Sequence, residues 1–259
     1  MRTFAIVNRK GGTAKTRTAT ELAYILSTIC GKRVLFADAD PQGDATALLL
    51  PLPGGTVVPG MAALLKGARP FDVIKHTDIP NLDIIPAGDD LAELDLEYML
   101  SDEHPSFQIL RSLRDEMTEE DAYDFMVIDC PPNYSASCIN AITAANCIII
   151  PTNCDRNSAV GMSGLVQQIQ SIRKQLPDVH IGGCLVTRFH RCDVNEDALQ
   201  YLREEAPVRV YDTVIRRTDK VTESSWAGMS VQAWSPFSSA GRDYRAWVSE
   251  LLRREGIEV

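Results

Sequence analysis

The string Lys10-Gly11-Gly12-Thr13-Ala14-Lys15-Thr16 constrains this chain more than any other stretch. It follows the apolar run Phe4-Ala5-Ile6-Val7 and precedes a helical pattern that begins near Lys15, so it reads as a glycine-rich turn from a buried strand into a helix N-terminus. Such a turn aims backbone N–H groups at one point and adds the positive end of the helix dipole, which together make a phosphate site. Lys15 then reaches the β- and γ-phosphates and the Thr16 hydroxyl ligates Mg²⁺, with Gly11, Gly12, Thr13, Ala14 and Arg17 completing the cradle. One lysine suffices for that job. The additional cation at Lys10, on the same loop, requires a second explanation.

Nothing in the composition divides the chain. Its 259 residues carry no internal repeat and no Pro/Gly/Ser-rich linker, and a single α/β domain over 1–259 is expected. No apolar run approaches the roughly 18 residues that a membrane span needs, so a soluble, cytoplasmic protein is expected. The seven cysteines include no C-x-x-C pair and most sit in apolar runs such as Asn146-Cys147-Ile148-Ile149-Ile150, which reads as buried small hydrophobes rather than a disulfide framework. The net charge of −9 is uneven: residues 68–130 hold 4 Lys/Arg against 17 Asp/Glu, while residues 1–67 hold 8 against 4. A local basic surface is therefore compatible with an acidic chain, and the acidic stretch 89–121 reads as the solvated faces of two helices.

Apolar runs at 3–8, 33–38, 82–86, 124–129, 147–151, 180–186 and 209–215 alternate with helical patterns at 15–30, 89–100, 104–117, 157–175, 193–205 and 239–254. That alternation predicts a doubly wound, mostly parallel sheet with helices on both faces. Gly31 is placed to end the first helix, Asp155 or Asn157 to start the fourth, and 51–60 reads as a surface loop.

Ligands of such sheets bind beyond the C-terminal strand ends. The second strand ends in Asp38-Ala39-Asp40-Pro41-Gln42-Gly43, which puts two carboxylates two residues apart before a fixed turn. The fourth ends in Met126-Val127-Ile128-Asp129, the form of a Walker B aspartate that holds Mg²⁺ directly or through water.

These three segments, with Asp129-Cys130-Pro131-Pro132, Val186-Thr187-Arg188-Phe189 and the run Thr213 to Glu223, resemble the ParA/MinD family of deviant Walker A ATPases, and the DPQG form is closer to its ParA and Soj partition branch. The resemblance implies a P-loop NTPase fold of the SIMIBI kind and an ATP- and Mg²⁺-dependent switch in which two subunits sandwich two nucleotides. In that scheme Lys10 crosses to the phosphates of the partner's ATP, Lys15 and Thr16 act in cis, Asp40 positions the attacking water, and Asp38 and Asp129 organise the metal with Thr16. It also implies slow hydrolysis, stimulation by a ParB-like partner and association with the nucleoid. Two positions depart from the pattern. Ala14 stands where glycine is usual, and is expected to be right-handed because it begins the helix; Arg216 stands where proline is common beside the adenine. Thr187 is the candidate for a base contact.

Family members also resemble one another in holding nonspecific DNA with scattered basic residues. Lys220 matches an arginine used that way, and Arg188, Arg191, Arg216 and Arg217 extend the patch if the loops after the sixth and seventh strands are neighbours. A MinD-like membrane or protein-cargo positioning ATPase is the alternative, but 242–259 carries four Arg against four Asp/Glu, and Trp247, Leu251 and Leu252 suit packing of an ordinary last helix. An iron–sulfur electron carrier would need cluster cysteines, and Cys130 and Cys154 lack a matching glycine-rich segment.

Overall fold

A computed structural model describes the chain except at residues 54, 55, 57, 101–105, 155 and 259, and except for the side chains of 99 and 156–161. Its strands are β1 (Arg2–Ile6), β2 (Val34–Asp38), β3 (Lys75–His76), β4 (Leu82–Ile85), β5 (Phe125–Asp129), β6 (Cys147–Thr152) and β7 (His180–Val186). They form one sheet in the order β3-β4-β2-β5-β1-β6-β7, parallel throughout except where β3 pairs antiparallel with β4 at one edge. The helices are α1 (Lys15–Tyr24), α2 (Asp44–Leu49), α3 (Met61–Leu65), α4 (Pro70–Val73), α5 (Asp89–Leu100), α6 (Ile109–Glu119), α7 (Ala136–Ala144), α8 (Arg156–Arg173), α9 (Asp193–Glu205), α10 (Asp219–Trp226), α11 (Val231–Trp234) and α12 (Ser239–Arg254).

Strand alternation divides the interior into two cores. Ala5, Leu35, Ala37, Met126 and Ile128 face one way and pack against α3 and α5 through α9, while Phe4, Ile6, Val34, Phe36 and Val127 face the other and pack against α1, α2, α11 and α12. Each fully buried Val, Leu, Ile or Phe contributes about 1.5–3 kcal/mol relative to exposure, so both faces must be covered for the sheet to persist. Trp247 is fully buried and meets Tyr211 and Tyr244 edge-on, with ring centroids 6.0 and 6.3 Å away. With Leu251 and Leu252 also buried, the apolar face of α12 belongs to the second core. Among the described residues no helix is long and apolar enough to cross a membrane.

The expected elements form except for the strand at 209–215 and the start of one helix, while β3, α2, α3, α4, α7, α10 and α11 form where none was expected. Residues 209–215 are not a ladder strand: bridges join Val210 to Cys184 and Arg216 to Phe189, but between them the N–H groups of Asp212 and Thr213 turn to the Glu250 carboxylate of α12, at 2.8 and 2.9 Å. A carboxylate that captures two amides removes them from the sheet. The edge strand β3 spans two residues, too short to leave a periodic trace. Helix α7 is buried on nearly every side, so its sequence shows no polar face, and Ser135 caps it by accepting from the Cys138 amide. Helix α6 begins at Ile109 rather than at 104, a position outside the described residues, as is the candidate cap Asp155. The first helix runs on through a π-helical turn, Ile25–Ile29, and Gly31 closes it at φ 67°. The acidic residues of α5 and α6 mostly face solvent.

Candidate nucleotide and metal site

The C-terminal ends of β1, β2 and β5 meet at one point. Cα pairing sets Ile6 beside Asp129 and Asp38 beside Asp129, so the parallel register alone brings the P-loop and both carboxylates together. The loop is clamped from three strand ends. Asn8 donates to the Pro151 carbonyl at 2.7 Å and accepts from the Lys10 amide at 3.0 Å; the buried Thr187 hydroxyl donates to the Thr13 carbonyl at 3.1 Å; Arg188 and Asn153 reach the Gly12 carbonyl at 3.3 and 3.5 Å. Asn8, Asn153 and Thr187 all follow strands, so the rule that selected Asp38 and Asp129 would have found the two asparagines as well.

Within this frame Gly12 takes φ 72° and Ala14 takes φ 61°, ψ 35°. The expectation that Ala14 is right-handed is therefore overturned. Ala14 is the residue before the first helical turn, and the chain reverses there to enter α1. Its Cβ bears a strain of about 1–2 kcal/mol that glycine would avoid. Among the described residues no side chain caps α1, so the amides of its first turn have no side-chain acceptor there, and the geometry is that of an anion site. Lys15 is buried with 7% exposure, while Lys10 and Gly11 are exposed at the mouth of the loop.

Asp129 is fully buried, and among the described residues neither of its oxygens has a hydrogen-bond partner of ordinary geometry. Burial first, then the charge of Asp38, pushes its carboxyl well above the usual range, against a smaller downward pull from Thr16 and Lys15. A carboxylate with two orphan oxygens between a threonine hydroxyl and a second carboxylate fits a divalent cation, which would restore the ionised form. Asp38 is buried too, and burial pushes it up to about 6. Its oxygens are occupied differently: Oδ1 accepts from the Asp40 amide at 3.2 Å, and Oδ2 accepts from the Thr46 amide and hydroxyl. Asp38 thus shapes the turn that carries Asp40, which is half-buried and accepts from the Gln42 amide at 3.1 Å.

Beside the loop lies a cleft of about 330 Å³ whose lining includes Gly12, Ala14, Thr187, Ile215 and Thr218. Thr187 lines it, but its hydroxyl already serves the Thr13 and Thr152 carbonyls. Arg17 turns from the loop toward Glu21, Ser225 and the Met229 carbonyl.

The basic residues read as DNA contacts do come together, because the Phe189 amide donates to the Ile215 carbonyl and the Arg217 amide to the Phe189 carbonyl. Several already hold carboxylates of this chain: Arg216 pairs with Asp243 at 2.7 Å, Lys220 with Glu223 at 2.8 Å and Arg191 with Glu196 at 3.1 Å. Arg188 and Arg217 are exposed.

A family model described as an AAA domain matches residues 1–181. The chain is 32% identical over 259 residues to the chromosome partitioning protein ParA of Caulobacter vibrioides, covering 98% of this chain and 95% of that one. It is 34% identical over 255 residues to the sporulation initiation inhibitor protein Soj of Bacillus subtilis, covering 95% and 96%. Among solved structures, cobyrinic acid a,c-diamide synthase of Mycobacterium smegmatis, with bound ATP analogue and magnesium, superposes with a TM-score of 0.80 at 27% identity over 99% of this chain and 96% of that one. The McdA–ATP complex of Cyanothece reaches 0.83 at 22% identity over 100% and 98%, a likeness of fold.

Proposed function

This chain belongs to the ParA/Soj family of partition and positioning ATPases, and we propose from that premise that it forms an ATP-sandwich dimer that binds DNA without sequence preference and hydrolyses ATP to drive plasmid or chromosome partition. The observation that carries the reading is the division of labour between two lysines on one loop: Lys15 buried in the cradle, Lys10 exposed at its mouth. A lysine serving its own nucleotide belongs inside; one serving a partner's belongs where a second subunit can meet it.

In this scheme the uncapped amides of α1 and the Lys15 ammonium hold the phosphates, and Thr16 and Asp129 hold Mg²⁺ with Asp38 behind them. Bound there, Mg²⁺ would neutralise charge on the phosphate oxygens. Asp38 fixes the Asp40 turn, and Asp40 orients the attacking water and takes its proton. Lys10 adds a positive charge from across the interface, where it stabilises the transferring phosphoryl group as an arginine finger does. Hydrolysis removes the γ-phosphate that both subunits share and releases the dimer. Arg217 and Arg188 offer exposed charge to DNA phosphates, and the paired Arg216 and Lys220 contribute after exchanging carboxylate for phosphate. A ParB-like partner would stimulate the step, and the cytoplasmic nucleoid would be the place of action.

Binding of the purified protein to random duplex DNA with ATP and with ADP, at two salt concentrations, tests the proposal. ATP-dependent binding that weakens steeply with salt supports it; equal binding in both nucleotides, or none, overturns it.

A further inference from the structure

At the opposite end of the sheet from the P-loop, three metal-ligating side chains converge. Cys147 and His180, the first residues of β6 and β7, are Cα partners across the parallel ladder, and Glu255, which follows the last turn of α12, lies against them. His180 Nε2 is 3.0 Å from Glu255 Oε1, and the ligand atoms of all three lie within 4.8 Å of one another, the one such cluster among the described residues. Two ligand atoms each about 2.0 Å from a tetrahedral zinc ion are about 3.3 Å apart, so the His180–Glu255 spacing is already close to that of a bound ion. Arg2 holds the other oxygen, Oε2, leaving Oε1 turned toward the imidazole.

Two further features point at the same spot. The ladder between β6 and β7 shifts register between Ile148 and Ile149, and the extra residue of that bulge is Gly182. A Cβ at Gly182 would lie 2.3 Å from Cys147 Sγ, 3.2 Å from the Tyr211 hydroxyl and 3.5 Å from Glu255 Oε1, so the bulge keeps clear the space in which thiol, phenol and carboxylate meet. The Tyr211 hydroxyl is buried and has no hydrogen-bond partner among the described residues, a costly condition that a bound ion or its water ligand would relieve.

We propose that Cys147, His180 and Glu255 bind one thiophilic divalent cation, Zn²⁺ by the chemistry of the set, with the Tyr211 hydroxyl beside the fourth coordination position. The ion takes the place of the hydrogen bond between His180 Nε2 and Glu255, the neutral imidazole then carrying its one proton on Nδ1, and the Cys147 thiol releases its proton to solvent on binding. Burial, which opposes a bare thiolate here, ceases to do so once a dication neutralises it. Arg2 orients the carboxylate from behind. The ligands lie far apart in sequence, so the ion staples the start of β6 and β7 to the end of the last helix without touching the nucleotide site.

The test uses chelator-treated full-length protein titrated with Co²⁺ and, separately, Zn²⁺. One equivalent per chain is expected, with a thiolate-to-cobalt charge-transfer band, a melting temperature that rises with Zn²⁺, and no displacement by MgATP. Cys147→Ser should lose the band. His180→Gln, which can still hydrogen-bond Glu255 but is a poor zinc ligand, should bind at least about tenfold more weakly. Melting of each variant without metal shows that it folds, and a double Cys154→Ser, Cys192→Ser variant should behave as the wild type. The proposal is overturned if the wild type shows no charge-transfer band, if the band survives in Cys147→Ser, which would place the ion on another thiol, or if a folded His180→Gln binds at unchanged affinity, which would remove the imidazole from the ligand set.

Discussion

The Thr46 hydroxyl donates to Asp38 Oδ2 at 2.7 Å and, on its other side, accepts from the Ala87 amide at 2.9 Å. One small side chain therefore ties the end of β2 to the exit from β4 and keeps the Asp38 carboxylate, and with it the Asp40 turn, in place. Thr46→Val keeps the shape and removes the hydroxyl, leaving the Ala87 amide without its acceptor. A loss of about 1–3 kcal/mol is expected from urea unfolding, together with a fall in ATP turnover larger than the fall in ATP affinity. Equal losses in turnover and affinity would show that the turn serves binding instead.

Ala14 sits in the left-handed region with a Cβ, and Ala14→Gly removes that strain at the cost of a more flexible unfolded chain. The balance favours glycine by about 1 kcal/mol at this φ, readable as a shift in the urea midpoint with an unchanged slope. An unchanged or lower midpoint would mean that the loop relaxes out of this conformation in solution.

The limits of sequence reading are visible at particular residues. The P-loop, Asp38, Asp40 and Asp129 were legible because each lies at the end of an apolar strand, where type and position coincide. Ala14 was misread because its spacing marks a helix start, while its backbone angle is set by how the chain leaves β1 and is clamped by Thr187. Residues 209–215 carry the pattern of a strand, and what prevents one is Glu250, 38 residues beyond Asp212, which no local window contains. The pairing of Arg216 with Asp243 and Lys220 with Glu223 was equally hidden, since charge counts alone do not show which carboxylate a cation meets.

Glu21 of α1 is fully buried; it accepts from the Val231 and Gln232 amides at 2.6 and 3.3 Å and from Arg17. Burial outweighs these partners and raises its carboxyl above the ordinary glutamate range. The native state therefore keeps this proton after the unfolded chain has lost it, so the contribution of Glu21 to stability falls as pH rises from about 4.5 through the folded value. Glu21→Gln removes that dependence. Relative to the wild type, the variant should gain stability as pH rises above the ordinary glutamate range in urea titrations; a difference that is constant with pH would place the proton elsewhere.

The two lysines of the loop should fail in different ways. Lys15 lies inside the cradle, and Lys15→Ala should abolish ATP binding in calorimetry, an effect on the order of 100-fold or more if the ammonium meets the phosphates in a dry site. Lys10→Ala leaves the cradle whole, so ATP should still bind to the monomer, while light scattering with ATP should show no dimer. Asp40→Ala separates a third step: binding and dimerisation persist, hydrolysis stops, and the ATP dimer accumulates on size exclusion. A Lys10→Ala protein that dimerises with ATP as the wild type does would remove the reason for assigning that lysine to a partner's nucleotide, and an Asp40→Ala protein that remains monomeric would move the carboxylate from hydrolysis to assembly.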